Sequence, residues 1–187
     1  MAKTLSRKRT KDESPNIRYG FGKSSLGRIL VALSDKGVVS ILIGDSNAGL
    51  LEDLQSRFSK AHLLHDESEA AGSVKAVVDY VEDPSNGLAD LPLDIRGTEF
   101  QKRVWKSLLD IPPGATSTYT EIARKIGAPK AIRAVGNACS INNLAFAVPC
   151  HRVLHKDGSL SGGYHWGDDR QRAMIEREAR LNASKKP

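Results

Sequence analysis

Residues 147–153 read Ala-Val-Pro-Cys-His-Arg-Val and place a cysteine next to a histidine after an apolar run. A thiol with a pKa near ~8.5 is a poor nucleophile, and a nearby base or cation raises the fraction that is ionised. His151 could take the proton of Cys150 directly or through a water molecule, although adjacent residues do not automatically face each other. These residue types in this order indicate nucleophilic chemistry at Cys150.

A third group is needed to orient the imidazole of His151. The sequence predicts a helix over residues 170–181, and two of its carboxylates, Glu176 and Glu178, are candidates for that role. Spacing alone does not choose between them. The predicted site therefore consists of a thiol, an imidazole and one of two glutamates.

Three other interpretations of the cysteine compete with this one. A cysteine in an apolar run is most often an inert residue of the hydrophobic core. A zinc deaminase would have Pro-Cys-x-x-Cys at this place, but residue 153 is valine, which excludes that class. The chain lacks the Cys-x-x-Cys pair that is usual in zinc sites, so no metal site is predicted. Its ligands would have to come from Cys139, Cys150, His151, His155 and His165.

The length and composition fit an ordinary globular protein of one or two domains. The chain has 187 residues, of which 40% are hydrophobic and 27% are charged. No run approaches the ~18 apolar residues of a membrane helix, and the N-terminus lacks the apolar centre of a signal peptide. Two cysteines cannot form a disulfide framework. We therefore expect a cytoplasmic protein with free thiols that does not span a membrane.

The net charge of +6 is divided unevenly along the chain. Residues 1–11 contain five basic side chains and no acidic one, which gives +5. Residues 12–94 contain 7 basic and 14 acidic side chains, which gives −7, and residues 95–187 contain 16 basic and 8 acidic ones, which gives +8. A basic second half suggests a polyanionic partner, either nucleic acid or a membrane surface, and charge does not choose between the two.

The first half of the chain is predicted to be an α/β domain. Three β-rich runs come first, and the turn residues 34–37 join the second and third runs as a hairpin. Two amphipathic helices follow, with a short strand at residues 63–64 between them. The β-rich runs are residues 17–21, 28–33 and 38–43, and the helices are residues 48–58 and 74–81.

Residues 84–94 are rich in proline, glycine and leucine and are predicted to be a linker. A linker at this place divides the chain into three regions. We predict a basic flexible tail at residues 1–15, an α/β N-terminal domain at residues 16–94 and a helical domain at residues 95–187.

The second half is predicted to contain a helix-turn-helix unit, after a first helix over residues 100–109. Thr118 and Glu121 have the spacing of a capping box, and Gly127 is placed to end the helix that they open. Pro129 suits the first turn of a second helix that runs to residue 139. Two short helices joined in this way could enter a groove of DNA. A helix pair that only packs against a neighbouring helix is the alternative.

Five segments in this order resemble the O6-alkylguanine-DNA alkyltransferases, in particular the carboxy-terminal methyltransferase module of the bacterial adaptive-response proteins. The resemblance extends over about residues 17–183, and its most specific element is Pro-Cys-His-Arg-Val at residues 149–153. The other segments are Gly-Thr-Glu-Phe at 97–100, Tyr-Thr-Glu-Ile-Ala at 119–123, Pro-Lys-Ala-Ile-Arg-Ala-Val at 129–135 and Gly-Ser-Leu-Ser-Gly at 158–162.

The resemblance implies repair of DNA by irreversible transfer of a methyl or other alkyl group from O6 of guanine to Cys150, once per protein molecule and after base flipping. O4 of thymine is an additional candidate target, and no cofactor is implied. His151 and Glu178 match the residues that activate the thiol through a water molecule. Tyr119 matches the tyrosine whose hydroxyl donates to the departing base, and Asn142 matches the asparagine hinge before the active-site segment.

The resemblance also implies the contacts with double-stranded DNA that contains O6-alkylguanine. Arg133 matches the arginine that fills the space of the extruded nucleotide, and the helix at residues 129–139 would lie in the minor groove. Small side chains would let that helix approach closely. The other DNA contacts assigned in this way are Tyr119, Thr120, Ala134 and Ala138. The substrate pocket would be lined by Val148 and Ser161, with Tyr164 or Trp166 as a further wall.

The implied fold is a ribonuclease-H-like α/β domain, with a small antiparallel sheet and helices, followed by a mostly α-helical domain whose helix-turn-helix is winged-helix-like. We expect a monomer, with cooperative assembly on DNA left open, located in the cytoplasm at the nucleoid. Two departures from the family pattern are an additional glycine at residues 162–163 and Asn143, where some relatives have proline.

The alternative function is that of a non-enzymatic lesion binder or regulator. Some relatives bind alkylated DNA without transfer, but they lack the acceptor cysteine that this chain has at residue 150. A Cys–His hydrolase is a more distant alternative. It would turn over repeatedly, whereas a suicide acceptor reacts once.

Overall fold

The computed structural model describes residues 15–183, so the predicted basic tail lies outside the described residues except for Pro15. The first half contains the strands β1 (Asn16–Ser24), β2 (Gly27–Ser34), β3 (Gly37–Gly44) and β4 (His62–His65). They form one sheet in the order β3-β2-β1-β4. The three predicted β-rich runs, their hairpin and the short strand at residues 63–64 are thereby confirmed.

The sheet is mixed, whereas the sequence predicted a small antiparallel one. β1 pairs with β2 and β2 with β3 in antiparallel orientation, but β4 runs parallel to β1. The cause is the connection between β3 and β4, which contains the helix α1 (Asn47–Arg57). A helical crossover lets the next strand run in the same direction, whereas a tight turn would have reversed it.

Helix α2 (Glu67–Glu82) packs closely on β1 because two glycines leave room for it. A Cβ atom at Gly20 would lie 2.8 Å from the Cβ of Ala70, and one at Gly22 would lie 2.7 Å from a methyl group of Val74. The central positions of β2 and β3 are buried consecutively rather than alternately. Both faces of the sheet are therefore covered.

The segment at residues 84–94, predicted to be a linker, is fixed to the sheet at its end. The amide of Val38 donates to the carbonyl of Pro92 at 2.7 Å, and the amide of Asp94 donates to the carbonyl of Val38 at 2.8 Å. Gly37 has a φ of +131°, and a Cβ there would lie 2.4 Å from the carbonyl oxygen of Pro92. Only glycine permits this close approach.

The second half is built from helices and one short pair of parallel strands. The helices are α3 (Glu99–Leu109), α4 (Tyr119–Lys125), α5 (Ile132–Ser140) and α6 (Asp168–Ala183), and the strands are β5 (Ser117–Thr118) and β6 (Val153–Leu154). The capping box predicted at Thr118 and Glu121 is confirmed. Gly127, with a φ of +72°, follows α4 as predicted.

Pro129 does not lie in the first turn of the second helix of the pair, which corrects the prediction. Helix α5 begins at Ile132, and the amide of Ala131 donates to the carbonyl of Ala128 at 2.8 Å. Residues 128–131 thus form a tight turn with proline at its second position, where the fixed φ of proline is favourable. The second helix of the predicted helix-turn-helix therefore begins three residues later than predicted, at Ile132.

The chain leading to Cys150 is fastened to the free edge of the sheet. The amide of Ile41 donates to the carbonyl of Asn143 at 2.8 Å, and the amide of Ala145 donates to the carbonyl of Ile41 at 3.0 Å. The sheet of the first half thereby positions a segment of the second half. Within residues 15–183, no helix has the length and apolar composition needed to cross a membrane.

Candidate active site

Cys150 lies in a buried 3-10 turn, Cys150–Arg152, and its side chain is almost inaccessible, since the residue is 3% exposed. Successive short backbone hydrogen bonds shape its approach: the amide of Val148 donates to the carbonyl of Leu144 at 2.9 Å, and the amide of Cys150 donates to the carbonyl of Val148 at 2.8 Å. Phe146, between them, has a φ of +66°. Such a conformation costs an aromatic residue free energy and persists only where the surroundings enforce it.

The thiol of Cys150 is held by Asn142, the predicted hinge residue. Nδ2 of Asn142 lies 3.2 Å from the sulfur and donates to the carbonyl of Val148 at 2.9 Å, while its Oδ1 accepts from the amide of Leu144 at 2.9 Å. Burial raises the pKa of Cys150 to about 11, although Asn142 and the nearby hydroxyl of Tyr164 act to lower it. The resting thiol is therefore protonated near neutral pH and needs a base.

His151 has the protonation state of a general base. Its Nε2 lies 2.8 Å from Oε1 of Glu178, so the hydrogen-bond pattern assigns the ring proton to Nε2 and the lone pair to Nδ1. Nδ1 is buried and has no hydrogen-bond partner among the described residues. Burial holds the pKa of His151 below its ordinary 6.5, against the opposing effect of Glu178. The imidazole is thus neutral, with one accepting nitrogen available.

Glu178 is the carboxylate of the site, a choice that spacing left open. It is 1% exposed, whereas Glu176 is exposed. It accepts from Nε and Nη2 of Arg152 at 2.9 and 3.0 Å in addition to His151. Burial opposes its ionisation, but the hydrogen bonds and charges of His151 and Arg152 outweigh burial and keep the pKa of Glu178 well below its usual range. Glu178 therefore remains an anion.

Three further buried residues, to which no sequence motif had given a role, hold His151 and Glu178 in place. The hydroxyl of Tyr80 donates to Oε1 of Glu178 at 2.7 Å, and Nε2 of Gln171 donates to the carbonyl of His151 at 3.1 Å. Arg152, the third, is signalled by its place beside His151. Tyr80 precedes Glu178 by 98 residues, so no local pattern in the sequence could have connected the two.

A small pocket of about 40 Å³ adjoins Cys150. Tyr119 and Ser161 lie in its wall. That Tyr119 donates to a departing base and Ser161 contacts a substrate stays a prediction. Burial raises the pKa of Tyr119 to about 12, so its hydroxyl remains a donor. The volume admits a few water molecules. The lining residues are Tyr119, Gly136, Cys139, Ser140, Cys150, Ser161, Gly163, Tyr164 and His165.

Val148 was predicted to line the substrate pocket, and the structure places it elsewhere. The residue is 0% exposed and is absent from the pocket wall. Its carbonyl instead accepts from Asn142 and from the amide of Cys150, so Val148 supports the turn from inside the core. Of the two aromatic residues offered as a further wall, Tyr164 lines the pocket and Trp166 does not.

The residues predicted to contact DNA divide into exposed and buried ones. Arg133 and Ala134 are exposed near the start of α5, and Thr120 is half-buried at the start of α4. Ala138 is 2% exposed, and its carbonyl accepts from the indole of Trp105 at 2.9 Å. Ala138 therefore faces the protein interior, contrary to the prediction, because α5 turns that side toward α3.

The residues weighed as zinc ligands do not form a ligand set. Within residues 15–183, no three histidine, cysteine, aspartate or glutamate side chains lie close enough together to hold a metal ion. His155 instead packs its ring 5.6 Å from that of Tyr119, and His165 lies 3.2 Å from a carboxylate oxygen of Asp53. The candidate ligands that were considered therefore have other contacts within the described part of the chain.

Comparison with known proteins identifies one family. Residues 99–180 match the family model described as "6-O-methylguanine DNA methyltransferase, DNA binding domain". The chain is 44% identical over 167 residues to the bifunctional transcriptional activator/DNA repair enzyme Ada of Escherichia coli, a match that covers 89% of this chain and 47% of the relative. The chain thus spans about half the length of that relative.

Shorter relatives are covered more completely. A methylated-DNA–protein-cysteine methyltransferase of Mycobacterium tuberculosis is 47% identical over 64% of this chain and 72% of its own length. A probable methylated-DNA–protein-cysteine methyltransferase of Acanthamoeba polyphaga mimivirus is 36% identical over 76% of this chain and 90% of its own length. Among solved structures, Mycobacterium tuberculosis OGT in complex with DNA superposes with a TM-score of 0.74 at 36% identity, covering 87% of this chain and 93% of that one.

Proposed function

The chain belongs to the methylated-DNA–protein-cysteine methyltransferases, and from this membership we propose that it repairs duplex DNA by moving an alkyl group from O6 of guanine to its own Cys150. A bond forms between the sulfur and the alkyl carbon, and the bond between that carbon and O6 breaks. The thioether product has no route back to a thiol, so each molecule reacts once. The observation that carries this proposal is that a buried thiol, Cys150, is followed in the same turn by a neutral imidazole whose Nδ1 has no partner among residues 15–183.

The proposed first step is removal of the thiol proton. Because the pKa of Cys150 is raised to about 11, only a small fraction is ionised without help. Nδ1 of His151 accepts this proton through a water molecule, and Glu178 stabilises the imidazolium that forms. The thiolate then attacks the saturated carbon, for which a soft sulfur nucleophile is well suited.

The proposed second step is departure of the guanine, whose developing negative charge is stabilised by a hydrogen bond from Tyr119. The anionic base then takes up a proton from water. Tyr119 lines the pocket and keeps its proton, because burial raises the pKa of Tyr119 to about 12. It therefore donates to the base as negative charge develops there. Ser161 and Gly163 belong to the loop that closes on the base, and this loop must move outward to admit it, since the pocket holds only about 40 Å³.

The proposed DNA interface lies on the exposed start of α5. Extrusion of a nucleotide costs a few kcal/mol of stacking and pairing, which is smallest at a damaged base pair. Arg133 fills the vacated space, and no hydrogen bond or ion pair within residues 15–183 restrains its side chain. Ala134 and Thr120 lie next to the DNA backbone, and their small size lets the helix approach the minor groove.

The finer architecture is also part of the proposal. The mixed sheet with α1 and α2 is taken as ribonuclease-H-like, and α4 and α5 beside the β5–β6 pair are taken as winged-helix-like. The proposal also divides the chain into one domain at residues 16–94 and a second at residues 95–187. The protein is proposed to act at the nucleoid, in the cytoplasm.

Methyl stoichiometry tests the proposed function. The protein is mixed in steps with excess duplex that carries one radiolabelled O6-methylguanine, and the label on the protein is counted. We expect at most one methyl group per molecule, none for Cys150→Ala despite retained DNA binding, and an unchanged count for Cys139→Ala. Binding without any label on the wild-type protein would favour the lesion-binder alternative, and label released in multiple turnovers would favour the hydrolase.

A further inference from the structure

One hydrogen bond to the catalytic carboxylate comes from the first half of the chain. The hydroxyl of Tyr80, on α2, donates to Oε1 of Glu178 at 2.7 Å, and the same oxygen lies 2.8 Å from Nε2 of His151. Glu178 also accepts hydrogen bonds from Arg152 and from the amide of Gly114, and both of these residues belong to the second half. Tyr80 thus acts on the oxygen that faces the base.

The direction of the Tyr80 hydrogen bond is fixed by its neighbours. Nη2 of Arg152 donates to the hydroxyl oxygen of Tyr80 at 3.1 Å, which leaves the hydroxyl proton to Glu178. Tyr80 is 2% exposed, and burial together with the charge of Glu178 raises the pKa of Tyr80 well above its ordinary 10. Tyr80 therefore remains a donor at every pH at which the protein works.

The ring of Tyr80 also supports the strained residue before the active-site turn. Its centroid lies 6.4 Å from that of Phe146, whose ring meets the imidazole of His151 edge-on at 5.9 Å. Phe146 has the positive φ noted above. Tyr80 thus reaches the base by two routes, through Glu178 at its hydroxyl end and through Phe146 at its ring.

We propose that Tyr80 is a positioning residue that sets the basicity of His151 through Glu178, an inference that rests on the function proposed for this site. A donor on Oε1 withdraws negative charge from the oxygen that would stabilise an imidazolium, so it keeps His151 neutral at rest. The charged groups that act on the imidazole are Glu178 on α6 and Arg152 on the same turn. Tyr80 on α2 interacts with both of them, and Tyr164 in the loop interacts with Cys150 and Glu178.

Replacement of Tyr80 with phenylalanine tests the proposal on the free protein. Titration of the His151 ring nitrogens by NMR, assigned with a His151→Gln sample, should show the pKa of His151 rising by about 0.5–1 unit in Tyr80→Phe. The acid limb of the transfer rate should move to higher pH by the same amount. Site-specific fluorotyrosine at residue 80 is a stronger donor and should shift both in the opposite direction.

Tyr19→Phe is the matched control, because Tyr19 is buried in β1, stacks on His65 and makes no contact with Glu178. It should leave the titration of His151 unchanged. A purely structural role for Tyr80 would lower the active fraction without moving either pH curve, and that result overturns the proposal. If Tyr80→Phe does not fold, the fluorotyrosine protein keeps the hydroxyl and decides the matter by the sign of its shift.

The two proposals fail in different ways. Absence of methyl transfer by the wild-type protein contradicts the proposed function, but the NMR titration of His151 needs no substrate and still tests Tyr80. Unchanged titration of His151 in both Tyr80 variants contradicts the positioning role even if wild-type transfer is normal.

Discussion

The thiol of Cys150, with a pKa raised to about 11 by burial, is almost entirely protonated near neutral pH. Burial lowers the pKa of His151 for the same physical reason, because a charged form loses hydration in either case. The proton therefore stays on sulfur at rest, and the base remains ready to accept it. In the proposed mechanism Glu178 supports the proton transfer, because it is the anion that an imidazolium would need.

Exchange of His151 for glutamine should change the pH dependence of transfer. The wild-type rate should be flat above the pKa of His151 and fall at lower pH with a midpoint below pH 6.5, because the neutral imidazole is the active form and burial lowers the pKa of His151. Without the base, the thiol must ionise by itself, so the rate of His151→Gln should be low at pH 7 and rise about tenfold per pH unit. Single-turnover kinetics measure both profiles, and identical profiles would refute the role of His151 as base.

Parts of the site follow from local sequence and parts do not. Cys150, His151 and Arg152 are consecutive, so one segment announces all three. The selection of Glu178 over Glu176 depended on the family resemblance, since both lie on α6 and only packing shows which one is buried. Tyr80 contacts Glu178 and Gln171 contacts His151 only in the folded core. The residues that flank Tyr80 and Gln171 in the sequence form no motif that would have identified them.

At the scale of elements, side-chain chemistry at the helix ends is the most predictable feature. Thr118 and Glu121 satisfy each other's backbone groups within four residues, so their capping box depends on no distant contact. The predicted start of α5 at Pro129 was wrong, because proline fits the second position of a tight turn as well as the first turn of a helix. The parallel direction of β4 was missed because strand direction depends on how α1 crosses the sheet.

The exposed start of α5 leads to a prediction about Arg133. Since its side chain has no partner within residues 15–183, Arg133→Ala should leave the unfolding temperature nearly unchanged. It should nevertheless slow methyl transfer about tenfold or more, as expected when ~1.4 kcal/mol or more of support for the extruded nucleotide is lost. Arg103→Ala, which removes an exposed arginine from α3, is the control. A normal transfer rate in Arg133→Ala would contradict the finger role.

At the scale of the whole molecule, both halves of the chain contribute residues that position one site. The edge of β3 holds residues 143–145, and the hydroxyl of Tyr80 on α2 donates to the carboxylate of Glu178. The first half, with a charge of −7 over residues 12–94, thus positions residues of the second half that form the site. The charge of +8 over residues 95–187 lies in the half that carries Arg133 and Cys150. The division at residue 94 stays a prediction.

This charge distribution predicts salt-dependent binding to DNA. If the basic half neutralises phosphates, the logarithm of the association constant should fall linearly with the logarithm of salt concentration, by ~0.9 for each phosphate contacted. Fluorescence anisotropy with a labelled undamaged duplex between 50 and 200 mM salt measures the slope. A slope near zero would show that the positive charge does not face DNA. Residues 1–11 add +5, and their removal should lower affinity without affecting transfer.

The most direct test of the central claim is the site of the transferred methyl group. The protein is incubated with a duplex containing O6-methylguanine, digested and analysed by tandem mass spectrometry, with an unmodified duplex as control. We predict a mass increase of one methyl group, +14 Da (the mass of CH₂), on the peptide that contains Cys150 and none on the peptide that contains Cys139. A methyl group on Cys139, or no methylated peptide after the DNA has been repaired, would contradict the assignment of Cys150 as the acceptor.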